Sequence, residues 1–337
     1  MTPVPFRFLV SCFVLALSVR AQDPAPAPQS TPPARPAAPA AISEAPIPEP
    51  WEPRLVETLL EVQVELHRRG FSCGSIDDVM GLQTSAALRA FQRASDIPDT
   101  GQLDELTRAF LWLTIPPLKT HTFSADELEG LHPVPPTWLE KSAEAALGYA
   151  SALELVAERY RASPALVRRL NPTLNWDAIA PGDTVTVPAV ERIVIGEKAA
   201  QVVIHLESRT LQAFAADGRQ LVHFPVSIAQ KVEKRPVGEV RIKVLISDPN
   251  YTFDPEVYPE SEEARTLGRK LVVPPGPNNP VGLAWIGLDL PGYGIHGTPE
   301  PEKVGRTESH GCFRLANWDA VTLLHLVAIG MPVQVIP

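Results

Sequence analysis

The sequence predicts a multidomain chain: a small all-α three-helix module, an α+β module, and a C-terminal, predominantly β domain built as a mixed-sheet sandwich with one helix. Three observations predict it. Between Arg54 and Leu113 apolar residues recur every three or four positions, as on one face of a helix. Two further helical faces, through Leu153 and Leu170, precede the alternating run Thr184-Val185-Thr186-Val187-Pro188. From Arg192 onward apolar residues alternate or run in short stretches between turns. A chain of 337 residues with 45% apolar content is long enough for two or three cores.

The first segment, residues 1–21, holds an apolar run from Phe8 to Val19 behind Arg7, and Val19-Arg20-Ala21 presents small residues where a signal peptidase reads. The run is shorter than the roughly 20 apolar residues of a spanning helix. It reads as a cleaved export signal, with a retained N-terminal anchor as the alternative, because Arg20 sits beside the cut. Residues 22–50 are almost all Pro, Ala and Ser with a few acids, a composition that buries no core and forms an extended tether.

The mature chain then keeps Cys73 and Cys312, too few for a disulfide framework. A formal net charge of −9 gives no support to nucleic acid or anionic lipid as partner. The expectation is an exported protein of the periplasm or cell wall with no stable membrane span in its mature form.

Within residues 51–115, Leu55, Leu59, Val62 and Leu66 mark a first helix ended by Gly70. Ala87, Leu88 and Phe91 mark a second, and Leu103, Leu106 and Phe110 a third after Thr100-Gly101. The run Gly70-Phe71, Ile76-Asp77, Gly81, Thr84, Ala87 and Phe91-Gln92 resembles the three-helix peptidoglycan-binding module of cell-wall hydrolases. Asp78 departs from it, standing where that family usually has glycine. Cys73 reads as a turn or core residue, since nothing basic sits beside it.

Residues 116–144, rich in proline, read as an ordered connector. In residues 145–190, Val156, Ala157 and Tyr160 share a helical face, Ser163-Pro164 opens a second helix, Asn171-Pro172 stops it, and Pro181-Gly182-Asp183 turns into the strand. This order resembles a LysM module, which implies binding of N-acetylglucosamine-containing glycans. The usual first strand is replaced by Gly148-Tyr149-Ala150-Ser151-Ala152, which leaves glycan binding and a spacer role both open.

Residues 191–337 form the C-terminal domain. Strands are expected around Val202, Leu211, Val222, Glu239–Ser247 and Pro332–Ile336, with one helix N-capped by Asn317 and ended by Gly330, and long loops over 249–280.

The chemistry lies near the end of this domain. A thiol attacks a carbonyl as thiolate, and a free cysteine with a pKa near 8.5 needs a base. His296, sixteen positions before Cys312, stands on the strand-like Tyr293-Gly294-Ile295-His296 and is the candidate base. Gly297 and Gly311 clear space for a substrate backbone, and the N–H groups of Gly311 and Cys312 are placed to bind an oxyanion. Arg314 lies on the same side as Cys312 if the segment is extended, holding a substrate carboxylate or favouring the thiolate. Tyr293 and Trp285 are candidates for the cleft wall, Tyr293 as a substrate contact, although an aromatic on a strand is usually core.

His296 together with Ser309-His310-Gly311-Cys312 resembles the L,D-transpeptidase (YkuD-like) family. The likeness extends through Pro275-Gly276-Pro277, Gly282, Gly294 to Thr298 and Asn317. It implies a YkuD-like fold, Cys312 as nucleophile, and His296 as base with its second nitrogen held by a backbone carbonyl, for which Gly297 is the source. Ser309 and His310 then shape the site, and Arg314 follows the branch of the family that has arginine there. The reaction so implied is attack of Cys312 on the bond before D-Ala in a peptidoglycan tetrapeptide stem, release of D-Ala, and transfer of the acyl group to an amine. A diaminopimelate amine gives a cross-link between two stems, a lipoprotein lysine gives anchoring, and water gives carboxypeptidase activity. No cofactor is expected.

Two other readings compete. His296, His310 and Cys312 are legitimate zinc ligands, but no Cys-x-x-Cys or His-Glu-x-x-His frame and no fourth ligand accompanies them. A non-catalytic wall-binding protein fits the N-terminal modules, and the intact histidine, cysteine and arginine weigh against it.

Overall fold

The computed structural model describes residues 51–190, 193, 195–257, 261–306 and 311–337. The export signal, the tether, Ser309 and His310 lie outside them. No described helix is long and apolar enough to cross a membrane.

The first module opens with β1 (Arg54–Leu55), followed by α1 (Leu59–Arg68), α2 (Leu82–Ala94), α3 (Glu105–Phe110) and β2 (Trp112–Leu113), which pairs antiparallel with β1. Thr58 starts α1 with a capping box closed by Glu61. Val62, Leu66, Ala87, Leu88 and Phe91 form the core, as the periodicity predicts. On α3 the expectation fails in part: Leu106 and Phe110 are exposed and Thr107 is the buried residue, held by its bond from Gln92. Asp78 takes φ +63°, the left-handed conformation that glycine adopts freely and aspartate tolerates, and its N–H donates to Gln63 Oε1 at 2.8 Å. The turn is kept without the glycine.

Residues 116–144 are more than a connector. They carry β3 (Leu118–Thr122), α4 (Ala125–Glu129) and α5 (Trp138–Ala143). After α6 (Ala152–Arg159) and α7 (Pro164–Leu170), β4 (Thr184–Pro188) pairs antiparallel with β3 along its whole length. Residues 145–152 form no strand: Ser151 caps α6, and the partner of β4 is β3, further upstream. Val64 and Ile76 of the first module enter the core of this one beside Val156 and Leu166, so the two modules share a hydrophobic interior.

The C-terminal domain contributes β5 (Gln201–His205), β6 (Thr210–Phe214), β7 (Gln220–Pro225), β8 (Gly238–Ser247), β9 (Tyr251–Phe253), α8 (Glu262–Leu267) and β10 (Leu271–Val273). It continues with β11 (Ala284–Leu288), β12 (Gly294–His296), β13 (Phe313–Arg314), α9 (Asn317–Leu326) and β14 (Pro332–Ile336). Eight strands form one mixed sheet in the order β13-β12-β11-β8-β14-β5-β6-β7, parallel at β12/β13 and β14/β5. The ten-residue β8 joins the halves, pairing with β14 through residues 238–241 and with β11 through 242–247. The result is a half-barrel rather than two separate layers. Leu323 and Leu326 of α9 fill its interior with Ile204, Ile286 and Phe313. Residues 249–280 are not bare loops: β9 and β10 pair there and bury Phe253 and Val273 with Ala264 of α8.

The modules dock on this domain through backbone as well as side chains. Ser72 N donates to His223 O at 2.8 Å and His223 N to Gly70 O at 2.9 Å, so the first module covers the outer edge of β7.

Candidate active site

The site is built on β12 and β13. Their parallel register pairs Ile295 with Phe313 and His296 with Arg314. Ile295 and Phe313 point into the core, both at most 1% exposed, which turns His296 and Arg314 to the opposite face. Cys312 stands in a bend one residue before β13. Its thiol donates to Gly292 O at 3.4 Å.

His296 is buried and doubly positioned. Its ring stacks on Trp285, its cross-strand partner, at 5.6 Å between centroids. Its Nδ1 lies 2.6 Å from Gly297 O. A carbonyl only accepts, so Nδ1 carries the proton and Nε2 is left with its lone pair in the neutral ring. Burial pushes the imidazole pKa down to about 4; the Gly297 carbonyl opposes that shift and the Arg314 charge adds to it. Burial also pushes the Cys312 thiol up, against the lowering effects of the Gly294 backbone and of Arg314. The resting pair is therefore neutral thiol and neutral imidazole. Arg314 does favour the thiolate, but burial outweighs it.

Glycine at 294 and 297 has local causes. A Cβ at Gly294 would stand 2.7 Å from the Trp285 ring, and one at Gly297 would stand 2.2 Å from Asn317 Oδ1. Gly297 thus makes room for an internal amide rather than for substrate. At Gly311 a Cβ would meet nothing within 4 Å among the described residues. Tyr293 is half-buried and packs on the main core. Ser309 and His310 lie outside the described residues.

Asn317 is not a helix cap. Ala316 takes that position, and α9 ends at Leu326, before Gly330. The Asn317 amide is instead fully buried: Oδ1 accepts from Leu283 N at 3.1 Å, and Nδ2 donates to Pro277 O at 3.1 Å and to Glu158 Oε1 at 3.0 Å. Glu158 belongs to α6, so the middle module reaches the scaffold of His296. Burial raises the Glu158 pKa to about 8, against the bond from Asn317. Beside it, Asp319 accepts from Ser72 Oγ at 2.8 Å and feels the buried Arg161, while burial lifts its carboxyl to about 7. Sequence reading missed this junction. The available signal is a pair of charged residues, Glu158 near the end of α6 and Arg161 just beyond it, beside apolar residues packed inward.

Residues 199–335 match the model of the YkuD family, described as the L,D-transpeptidase catalytic domain, and residues 57–111 match that of the "Putative peptidoglycan binding domain". Among curated proteins, "Putative L,D-transpeptidase YkuD" of Bacillus licheniformis is 25% identical over 55% of this chain and 93% of its own length. "Putative L,D-transpeptidase in ATP synthase subunits region ORF 5" of Fuscovulum blasticum is 32% identical over 38% of this chain and 65% of its own length. The solved L,D-transpeptidase of Xylanimonas cellulosilytica aligns with 86% of this chain and 100% of its own, at 15% identity and a TM-score of 0.34. Residues 199–335 of this chain are thus similar to the L,D-transpeptidase (YkuD) catalytic domain, and residues 57–111 ahead of them to a peptidoglycan-binding domain.

Proposed function

We propose that the chain is an exported L,D-transpeptidase of the cell envelope in which Cys312 is acylated by a peptidoglycan tetrapeptide stem. The observation that carries this reading is the Nδ1 contact of His296 to Gly297 O at 2.6 Å, which leaves Nε2 as a base on the strand paired with Arg314, two residues after Cys312. Nε2 takes the thiol proton as sulfur bonds to the carbonyl carbon before D-Ala. The oxyanion so formed is held by the N–H groups of Gly311 and Cys312. As the C–N bond breaks, the imidazolium returns the proton to the D-Ala amine and a thioester remains. An acceptor amine, its proton taken by His296, then displaces the sulfur, which recovers a proton from the imidazolium. Arg314 holds a carboxylate of the stem, and Tyr293 lines the approach.

The pairing of β3 with β4 around α6 and α7 supports a LysM-like middle module, and the match over residues 57–111 supports wall attachment through the first. Purified protein mixed with defined muropeptides separates the acceptors by product mass: a stem-to-stem dimer for cross-linking, a tripeptide for hydrolysis. Cys312→Ala is expected to stop D-Ala release and keep sacculus binding; release at the parent rate would overturn the assignment.

A further inference from the structure

Helix α2 lies across the outer face of β6 and β7, and the space between them is not filled. It holds a cleft of about 580 Å³ and an adjoining one of about 300 Å³, which share Ala86, Ser208, Thr210 and His223. Neither is lined by Cys312 or His296. The larger falls in the size range of ligand sites, roughly 300–1,000 Å³.

Three features of the walls point to one kind of ligand. His223 is 1% exposed, lines both clefts, and has no described hydrogen-bond partner at either ring nitrogen. Burial, with the charge of Arg93, pushes its pKa down to about 3, so the ring is neutral and offers one donor and one acceptor, the pair that a peptide unit answers. Arg89, Arg93, Arg209 and Arg306 line the clefts, against the carboxylates of Asp77 and Glu207, in a chain whose formal net charge is −9. Arg93 bonds Asp99 at 3.0 Å, Arg209 reaches Gly305 O at 3.3 Å, and Arg306 stands 3.9 Å from Asp77, beyond a hydrogen bond. Guanidinium forks match carboxylates in geometry and charge. At the mouth Leu82 is 91% exposed and Val79 56%, apolar surface suited to small alkyl side chains.

We infer that this cleft between the first module and the catalytic domain binds a short carboxylate-bearing peptide, with the arginines on its carboxylates and His223 on its backbone. Its identity as a peptidoglycan stem rests on the function proposed above. Placed there, a second stem is held by the enzyme while Cys312 works on the first, so the cleft adds a tethering site to the catalytic one.

The test uses the full chain with Cys312→Ala and a synthetic stem tripeptide ending in diaminopimelate, titrated by calorimetry. Two sites are expected, one of which weakens at least about tenfold in the added background Arg89→Ala/Arg306→Ala, and weakens with rising salt. In protein that retains Cys312, the same two substitutions leave D-Ala release from soluble tetrapeptide unchanged. A single site in the Cys312→Ala protein, or a titration unaltered by the arginine changes, overturns the inference. Where those variants misfold, the His223 ring signals in the NMR spectrum of the parent decide: tripeptide shifts them if the cleft is occupied, and unmoved signals refute it. Loss of D-Ala release in the parent itself would instead strike the transpeptidase reading and leave the binding result standing.

Discussion

Asn317 Nδ2 donates to Glu158 Oε1 at 3.0 Å, tying the first residue of α9 to a carboxyl from another module 159 positions away. The same amide accepts from Leu283 N and fills the space that Gly297 leaves open, and the carbonyl of Gly297 orients His296. The base of the proposed reaction is thus braced by a contact that crosses a module boundary.

Removing that contact has a defined outcome. Glu158→Ala removes one of the two acceptors of the buried Asn317 amide, a loss of about 1–3 kcal/mol in urea unfolding. Glu158→Gln retains an acceptor oxygen and is expected to lose less. Because Asn317 supports the His296 segment, Glu158→Ala also lowers kcat for D-Ala release more than it raises KM.

The pH dependence of stability follows from the same carboxyl. Its folded pKa is raised to about 8 from an ordinary value of 4.5, so the folded state holds the proton more tightly than the unfolded one. The contribution is fully present below about pH 4.5 and is lost as pH rises through about 8. Unfolding midpoints measured across this window should fall with pH, and Glu158→Gln should flatten the fall. Asp319, raised to about 7, acts in the same direction.

Reactivity at the site should not resemble that of a cysteine–histidine ion pair. With the imidazole held near a pKa of about 4, catalysis is expected to fall only as pH drops through that value, rather than near the ordinary 6.5. Burial raises the thiol, so alkylation of Cys312 by iodoacetamide should be slow at neutral pH and climb under alkaline conditions. Fast alkylation at pH 6 would contradict the neutral pair.

Gly297→Ala brings a Cβ to 2.2 Å from Asn317 Oδ1, a buried atom with no room to retreat. Overpacking of this kind costs about 1–3 kcal/mol, and the displaced carbonyl frees the His296 ring. The expected result is a lowered thermal midpoint together with loss of most D-Ala release, whereas Gly311→Ala, whose Cβ meets nothing within 4 Å among the described residues, keeps the fold.

Much of this site is legible in the sequence because its parts are close along the chain. His296 and Arg314 pair on two short strands, with Gly297 and Cys312 next to them in sequence, and the tautomer follows from one neighbouring carbonyl. The first two helices of the first module follow from apolar spacing, and Asp78 shows a turn kept by a residue other than glycine. What stayed hidden depends on distant partners. β3 carries little apolar alternation, and only its pairing with Thr184–Pro188 makes it a strand. Ser72 meets Asp319 across 247 positions, and Asn317, read as a cap from its residue type, is drawn inward by Glu158. No local pattern announces such contacts, because each polar residue finds its partner only after the modules close on one another.

The most direct measurement is the intact mass of the protein after brief incubation with a tetrapeptide stem, followed by peptide mapping. Acyl transfer through Cys312 predicts a tripeptide adduct on that cysteine, removable by hydroxylamine, with D-Ala released in step. Absence of any adduct at Cys312, with D-Ala release undiminished in Cys312→Ala, would contradict it.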